Sequence, residues 1–175
     1  MEVNYYKCKN NDIFKSLEDS KILNLSKTQN YLPTYSRFFN LNDTNYNNIT
    51  LNNEWQLQSI HYKEKEKENA FYCNLTNINN KKKKEQSVFI KLAPLLDPYK
   101  YLVGKYDITN ENLFNLPTLT NENVHSKIKN IHNSAYVDSF FTFLNSKLIT
   151  HHNFKHGVNY YGSFVAIKNK YTINV

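Results

Sequence analysis

Three strand-like segments follow one another between residues 55 and 93 of this 175-residue chain, and short polar stretches separate them. In residues 55–62 and again in residues 70–75, side chains alternate with a period close to two, as in a half-buried strand. Residues 87–93 form a β-branched and aromatic run that Pro94 closes. Because connections this short join antiparallel neighbours, the pattern predicts antiparallel strand pairing in the middle of the chain.

A helical pattern covers residues 134–153, and Asn133 or Ser134 is suited to cap its start. Its apolar residues recur at helical spacing, at Val137, Phe140, Phe141, Leu144 and Leu148, and all of them except Phe140 form one stripe. Such a stripe is typical of a helix that packs by one side on a core. We therefore expect the helix to lie on the sheet.

The two ends of the chain are less regular. Residues 1–53 are expected to be an N-terminal arm or loop region with one short helix, and the asparagine-rich part at 31–53 is expected to form turns or a loop. Residues 94–130 are expected to be a connector with one or two short helices. Residues 157–167 are strand-like, with Gly162 at a bulge or turn, and residues 171–175 begin another strand. The element order predicts an α+β fold, in which one main helix packs on an antiparallel five-stranded sheet.

The net charge of +7 comes almost entirely from lysine, because Arg37 is the only arginine. A chain that binds phosphate groups would be expected to hold several arginines, whose planar guanidinium groups bind phosphate in a bidentate manner. Lysine and asparagine have AT-rich codons, so codon bias explains their excess. The lysines at 81–84 could bind nucleic acid or act as a nuclear address, but we interpret them as a solvated hairpin tip and expect no nucleic-acid partner.

Cysteine, histidine and the N-terminus give no sign of a metal site or of export. Cys8 and Cys73 lie far apart and outside any CxxC pair, which favours reduced thiols. The histidines at 151, 152 and 156 have no acidic or cysteine neighbour to complete a metal site, and are interpreted as groups at the end of the helix. The first residues lack the basic and apolar regions of a secretory signal, and no apolar stretch approaches the roughly 18 to 20 residues that span a bilayer. We expect an intracellular protein.

The order of three strands, a helix and two more strands over residues 54–175 resembles the amino-terminal lobe of protein kinases. The valine, phenylalanine, isoleucine and lysine at 88–91 look like the VAIK stretch of the third kinase strand. Residues 160–164, which run Tyr-Tyr-Gly-Ser-Phe, are similar to the stretch that leads into the fourth and fifth kinase strands. Three longer stretches look closer still to uncharacterised kinase-like proteins of giant DNA viruses: residues 89–98, 133–141 and 156–164.

The resemblance implies that Lys91 contacts the α- and β-phosphates of ATP and pairs with an acidic residue of the following helix. Asp138 is the expected partner, because it is the only acidic residue after Glu122. Lys91 and Asp138 are thus the predicted nucleotide-binding residues. The alternatives are a lysine in solvent at the end of a strand and an aspartate that favours the helix dipole.

Other features depart from the kinase pattern. Residues 55–75 contain no glycine, so the glycine-rich phosphate loop is missing, and about forty residues separate Lys91 from the helix. The catalytic and metal-binding residues of a kinase would lie in a carboxy-terminal lobe beyond Val175. The resemblance therefore implies a truncated chain, in which ATP and Mg²⁺ binding and phosphoryl transfer to Ser or Thr need a longer protein. The alternative is a non-catalytic, pseudokinase-like interaction or virion module, and either protein would reside in the host cytoplasm or the virion.

Overall fold

Short strands and helices alternate along the part of the chain that the computed structural model describes, residues 2–120 and 122–173. The strands are β1 (Tyr5–Lys7), β2 (Leu25–Gln29), β3 (Ile49–Leu51), β4 (Trp55–Lys63), β5 (Ala70–Asn77), β6 (Lys83–Phe89) and β7 (Val165–Lys168). The helices are α1 (Asn11–Asp19), α2 (Pro98–Leu102), α3 (Ser126–Lys129) and α4 (Ser134–His152), and two 3-10 helices cover Pro33–Arg37 and Glu111–Phe114. The fold class is α+β, as the sequence predicts.

Strands β4, β5 and β6 form an antiparallel meander. Its register places Leu57 opposite Leu75 and Ile60 opposite Cys73, and all four side chains are buried. Residues that face each other across two strands share one face of the sheet, so these pairs form its inner face. The alternation in the sequence therefore predicts the pairing of β4 with β5. It places Leu57 and Ile60 on opposite faces, whereas a register shift between Leu57 and Ser59 brings both to the buried side.

The third strand of the meander lies about four residues earlier than the pattern indicates. The sequence favours residues 87–93, whereas β6 pairs from Lys83, opposite Thr76, to Phe89, opposite Ala70. Because β5 begins at Ala70, no residue of β5 remains to pair with the chain beyond Phe89. Lys91 consequently lies in the irregular segment after the strand rather than on it.

The prediction of one five-stranded sheet is wrong, because the described strands form three separate antiparallel sheets. β1 pairs with β3, β2 pairs with β7, and the meander stands by itself. β7, expected beside the meander, takes a partner from the N-terminal segment instead. A strand pattern indicates that a segment pairs, but the partner is decided by contacts between distant parts of the chain.

The C-terminal segment contains less strand than the sequence predicts. Residues 157–164 have no regular structure, and Gly162 has a φ of 142°. Single hydrogen bonds hold this segment: the Leu57 N–H donates to the Tyr161 carbonyl at 2.8 Å, and the Tyr160 N–H to the Ser146 hydroxyl at 3.1 Å. Residues 171–173 carry no strand, and positions 174 and 175 of that prediction lie outside the described residues.

Two clusters of buried apolar side chains form the interior. The first, here called the helix cluster, contains Leu32, Tyr35, Ile49, Leu51, Tyr136, Phe140, Phe143, Tyr160 and Val165. The second, the meander cluster, contains Leu17, Leu23, Leu57, Ile60, Phe71, Cys73, Leu75 and Val88. The main helix α4 therefore packs on the N-terminal segment and not on the meander, whose inner face is covered by α1 and the chain that follows it.

The first 53 residues, expected as an arm or loop region, supply side chains to both clusters and strands to two sheets. Their asparagine-rich part is a turn, as the sequence predicts. The Asn47 side-chain oxygen accepts from the Asn30 N–H at 2.7 Å, and the Asn45 amide donates to the Tyr5 hydroxyl at 3.0 Å. Hydrogen bonds from asparagine side chains thus replace a regular ladder in this segment.

Helix α4 buries a different face from the one that the sequence favours. Tyr136, Phe140 and Phe143 are buried, whereas Phe141 and Val137 of the predicted stripe are 64% and 45% exposed. The helix carries apolar residues around much of its circumference, so spacing alone defines two stripes that differ by a rotation of one residue. The stripe with Tyr136, Phe140 and Phe143 packs against the first 3-10 helix and β3. The expectation that the stripe with Val137 and Phe141 faces the core is therefore wrong.

Both ends of α4 are capped, and Asn133 caps the start, as the sequence predicts. The Asn133 side chain accepts from the Ala135 N–H at 3.1 Å, and it also donates to the carbonyls of Leu95 and Lys127 at 3.0 Å each. At the other end, Asn153 adopts a left-handed conformation and its N–H bonds to the Ile149 carbonyl. Asn133 therefore joins the helix start to the connector that precedes it.

Phe143→Ala is expected to lower the free energy of unfolding by about 3–5 kcal/mol, because truncating a fully buried ring leaves a cavity. Phe141→Ala, the same chemical change on an exposed ring, should cost less than about 1 kcal/mol. Urea denaturation followed by circular dichroism measures both values. The opposite ranking would mean that the stripe favoured by the sequence is the buried one.

Candidate functional site

The structure brings together Lys91 and Asp138, the two residues to which the kinase resemblance gives a role in nucleotide binding. The Lys91 ammonium lies 2.8 Å from a carboxylate oxygen of Asp138, across a sequence separation of 47 residues. Lys91 stands in the irregular segment after β6, and Asp138 on the second turn of α4. The two side chains are 62% and 47% exposed, so the pair lies at the surface.

This ion pair links the two halves of the interior. Ile90 packs at the margin of the meander cluster, and Leu95 at the margin of the helix cluster. The segment that carries Lys91 therefore crosses from one cluster to the other, and the pair ties it to α4. Exposed ion pairs contribute roughly 0.2–1 kcal/mol, so the contact orients the segment more than it stabilises the fold.

The surroundings of Lys91 contain little of what a phosphate site needs. A phosphate-binding loop directs several backbone N–H groups at one point, and it uses glycine to do so. The glycines of this chain are at 104, 157 and 162, none of them in the meander. Neither Lys91 nor Asp138 lines the two cavities described next. The pair thus presents a single ammonium that a carboxylate already neutralises.

A small cavity of about 30 Å³ lies where α1, the first 3-10 helix, β3, β4 and the C-terminal segment meet. Tyr35, Tyr160 and Ser163 are among the residues that line it, and the Ser139 hydroxyl donates to the Ser163 hydroxyl at 2.5 Å. This volume is suited to one or two water molecules and is too small for a substrate. No local sequence pattern indicates these hydroxyl groups, because only the tertiary fold brings residues 35, 139 and 160 together.

Burial raises the pKa of the two tyrosine hydroxyl groups at this cavity. The pKa of Tyr35 is raised well above its ordinary value, chiefly by burial and further by the neighbouring Tyr160. Burial also raises the pKa of Tyr160 to about 12, although hydrogen bonds with Ser163, Tyr35 and Ser139 act in the opposite direction. Both phenols are therefore neutral near neutral pH, and they act as hydrogen-bonding groups of the core.

A wider groove of about 420 Å³ opens between β2 and the connector. Lys27, Gln29, Asn47 and Glu122 are among the residues that line it, so one cation and one anion stand among amide, hydroxyl and aliphatic side chains. The Thr28 hydroxyl at this groove is buried, with no hydrogen-bond partner in the described part of the chain. With no excess of charge, the groove does not select an ionic ligand.

The lysines and histidines singled out in the sequence are dispersed. Lys83 and Lys84 lie within β6 rather than at a hairpin tip, and the Lys84 ammonium is 4.2 Å from the centre of the Trp55 ring. His151 and His152 occupy the last turn of α4. Within residues 2–120 and 122–173, no three side chains of histidine, cysteine, aspartate or glutamate are grouped to hold a metal ion.

Both cysteines are free thiols. Cys73 is buried in the meander cluster, and burial raises its pKa to about 11. Cys8 is partly exposed. A thiol whose pKa is raised is a poor nucleophile at neutral pH, so Cys73 acts as a core residue.

Large apolar side chains stand exposed on several parts of the surface, among them Tyr62, Tyr72 and Phe89 on the meander, and two groups lie elsewhere. One group lies on α2 and the chain after it, and is here called the connector surface: Tyr99, Tyr101, Leu102, Val103, Ile108 and Phe114. The other lies on α4: Val137, Phe141 and Leu148. Neither belongs to a membrane span, since none of the described helices combines the length and the apolar character that crossing a bilayer demands. Sequence reasoning assigned the second group to the core and gave the first no role.

Comparison with known proteins gives no match. No protein-family model, no curated protein and no solved structure matches the chain. The kinase resemblance, with its giant-virus relatives and its nucleotide role for Lys91 and Asp138, therefore stays a prediction. The grounds for proposing a function are the chemistry and shape of the surface.

Stability should fall as pH rises from about 10 to about 12, because the unfolded chain ionises its tyrosines near pH 10 whereas Tyr160 in the folded chain ionises only near 12. The stabilising contribution of its neutral form is fully present below pH 10 and is lost through this window. Tyr160→Phe should reduce the loss by about 2 kcal/mol. Tyr72→Phe, a change on the outer face of the meander, is the control. Urea denaturation at each pH measures the loss, and identical pH profiles for Tyr160→Phe and wild type would contradict this account.

Proposed function

We propose that the protein is a non-catalytic interaction module that binds another protein through exposed apolar side chains. The observation that carries this proposal is the connector surface, where six large apolar residues between positions 99 and 114 are each at least 41% exposed. Single exposed apolar residues are ordinary, whereas a contiguous exposed apolar patch is typical of an interaction site. Within the connector surface the rings of Tyr101 and Phe114 lie in edge contact, with centroids 6.4 Å apart. Burial of such side chains against a partner is favourable by about 25 cal/mol per Å² of apolar area.

The connector surface is held in place by its own hydrogen bonds. Asp97 caps α2 by accepting from the N–H groups of Tyr99 and Lys100 at 3.0 and 3.3 Å. The Asp97 N–H in turn donates to the Tyr106 hydroxyl at 3.1 Å. A surface fixed before binding loses less conformational entropy when a partner arrives, so this order favours a role in binding.

Two further features favour binding over catalysis. The cavity that holds the buried hydroxyl groups is of water size, about 30 Å³. The acid–base groups of that cavity are phenols with pKa values raised by burial, which do not exchange protons near neutral pH. Proteins that act by presenting a surface need neither a substrate pocket nor a tuned acid or base.

The connector surface is tested by a photo-activated crosslinking residue placed at Leu102 or at Ile108 in cells that naturally contain the protein. Glu66 and Lys81, which are exposed in the two turns of the meander, are the matched control positions. We expect one discrete crosslinked product from positions 102 and 108 and none from positions 66 and 81. Absence of a product at 102 and 108, or equal products at all four positions, would refute the connector surface as the binding site.

A second candidate is nucleotide binding by a kinase-like amino-terminal lobe, and the 2.8 Å contact between Lys91 and Asp138 favours it. A lysine just after the third strand of a meander reaches the only acid of the following long helix, as the resemblance implies. In this candidate, ATP with Mg²⁺ would bind at Lys91, and phosphoryl transfer would need further residues in a longer viral protein.

Lys91→Met separates the two candidates. If Lys91 holds a nucleotide, ATP with Mg²⁺ should raise the melting temperature of the wild-type protein and of Lys100→Met, an exposed control, but not that of Lys91→Met. Differential scanning fluorimetry measures the shift. A wild-type protein that ATP does not stabilise, or a Lys91→Met variant that ATP still stabilises, would remove Lys91 and Asp138 from nucleotide binding.

A further inference from the structure

Strand β6 is one edge of the meander, and on its outer side no strand pairs with it in the described part of the chain. Lys82 and Ile90, which flank β6, hydrogen-bond by their main chains to Asn77 and Asn69 at 2.8 Å each. The register between them is unbroken, and bonded residues alternate with outward ones along an antiparallel pair. Four residues of β6 therefore direct their N–H and carbonyl groups away from the sheet, and they are here called the β6 edge: Lys83, Glu85, Ser87 and Phe89.

The β6 edge offers a row of unused main-chain groups. Within residues 2–120 and 122–173, none of its four N–H and four carbonyl groups is hydrogen-bonded. The strand contains no proline and no bulge, and it is about 20 Å long at the usual rise of a strand. Ser87 is half-buried and the other three residues are exposed. A regular, open edge of this kind is a template for a further strand.

The opposite edge of the meander, formed by β4, is protected. The pairing of β4 with β5 contains two register shifts, whereas that of β6 with β5 contains none. The Leu57 N–H of β4 donates to the Tyr161 carbonyl of the C-terminal segment. Bulges and covering loops are devices that prevent an edge from pairing. β6 is therefore the edge of the meander that can accept another strand.

The chemistry of the β6 edge selects its occupant. A row of N–H and carbonyl groups is complemented by the main chain of an extended peptide, which presents the same groups at the same spacing. Side chains that face each other across two strands interact, so an acidic residue is favoured opposite Lys83 and a basic one opposite Glu85. An apolar residue is favoured opposite Phe89, whose ring is 66% exposed, because the contact removes apolar area from water.

A second copy of the chain fits the β6 edge poorly. Two β6 strands that pair antiparallel over their whole length set Lys83 opposite Phe89 and Glu85 opposite Ser87, so neither charge meets its opposite. The register that sets Lys83 opposite Glu85 overlaps the two strands over residues 83–85 alone. The net charge of +7 also disfavours association of two copies. These features favour a segment of a different protein.

We propose that the β6 edge binds an extended segment of a partner protein as a fourth strand of the meander. The segment runs antiparallel to β6, the slightly more stable direction of pairing. Its alternate residues are, in chain order, apolar opposite Phe89, polar opposite Ser87, basic opposite Glu85 and acidic opposite Lys83. The inference goes beyond the proposed function, because it adds a binding site that does not depend on the connector surface. The crosslinking controls at 66 and 81 lie in turns, outside the paired residues 83–89.

The test uses a fluorescein-labelled synthetic peptide of seven residues, with isoleucine, threonine, lysine and glutamate at the facing positions and threonine between them. Two matched peptides carry N-methyl groups, one on the four facing residues and the other on the three residues between them. In an antiparallel pair only the facing residues direct their N–H groups at β6. Fluorescence anisotropy measures binding to the full chain. We expect the unmodified peptide and the second methylated peptide to bind, and the first methylated peptide to bind at least tenfold more weakly.

Ser87→Pro removes one outward N–H group and leaves the bonds to β5 in place, as proline does at a strand edge. It should weaken binding of the unmodified peptide about tenfold. Ser87→Ala removes the same hydroxyl group and keeps the N–H, so it is the matched control and should leave binding unchanged. Thermal melts followed by circular dichroism check that both variants fold, and the pair of methylated peptides tests the wild-type protein without any substitution.

Several outcomes would overturn the inference. They are failure of the unmodified peptide to bind, equal binding of the two methylated peptides, and equal binding by folded Ser87→Pro and Ser87→Ala. A wild-type dimer in sedimentation equilibrium that Ser87→Pro abolishes would also overturn it, because a second copy would then occupy the β6 edge. Crosslinks at positions 102 and 108 with no peptide binding would refute the β6 edge alone, whereas peptide binding without those crosslinks would refute the connector surface alone.

Discussion

Pairing between β2 and β7 is the contact on which the rest of the arrangement depends, because it joins the two ends of the chain. Ser26 and Asn169, 143 residues apart, hydrogen-bond through their side chains at 3.0 Å, and the Lys168 ammonium donates to the Leu23 carbonyl at 2.7 Å. Closing so long a loop is entropically unfavourable. Burial of Leu23 and Val165 in the two clusters offsets that cost, and it makes the first 53 residues part of the interior.

This closure also determines what α4 leaves at the surface. The N-terminal segment, with its 3-10 helix and β3, takes the aromatic face of α4, so the helix does not cover the meander. The stripe with Phe141 and Leu148, which would suit a sheet, is left facing solvent. The stripe is thus exposed because the N-terminal segment, and not the meander, packs on the helix.

The contact between Lys91 and Asp138 was predictable from the sequence, whereas the surroundings that decide its function were not. The pairing itself follows from simple reasoning, since the chain offers Lys91 only one acid beyond Glu122. Its environment could not be predicted, because strand register ended β6 at Phe89 and left Lys91 in an exposed crossing segment. Phosphate binding depends on several hydrogen-bond donors that converge on one point, and Lys91 offers a single ammonium. Docking of a protein depends on exposed apolar area, which the connector surface provides.

Local pattern by itself determined the meander, the extent of α4 with its Asn133 cap, and the asparagine-rich turn, because each depends on residues close together in the chain. Only the tertiary structure decided which stripe of α4 is buried, which strand pairs with β7, and that Tyr35 and Tyr160 share a buried cluster of hydroxyl groups. Those outcomes depend on contacts between residues far apart in sequence. A helix that is apolar on two sides, like a strand with two open edges, carries no local signal for the partner that it will meet.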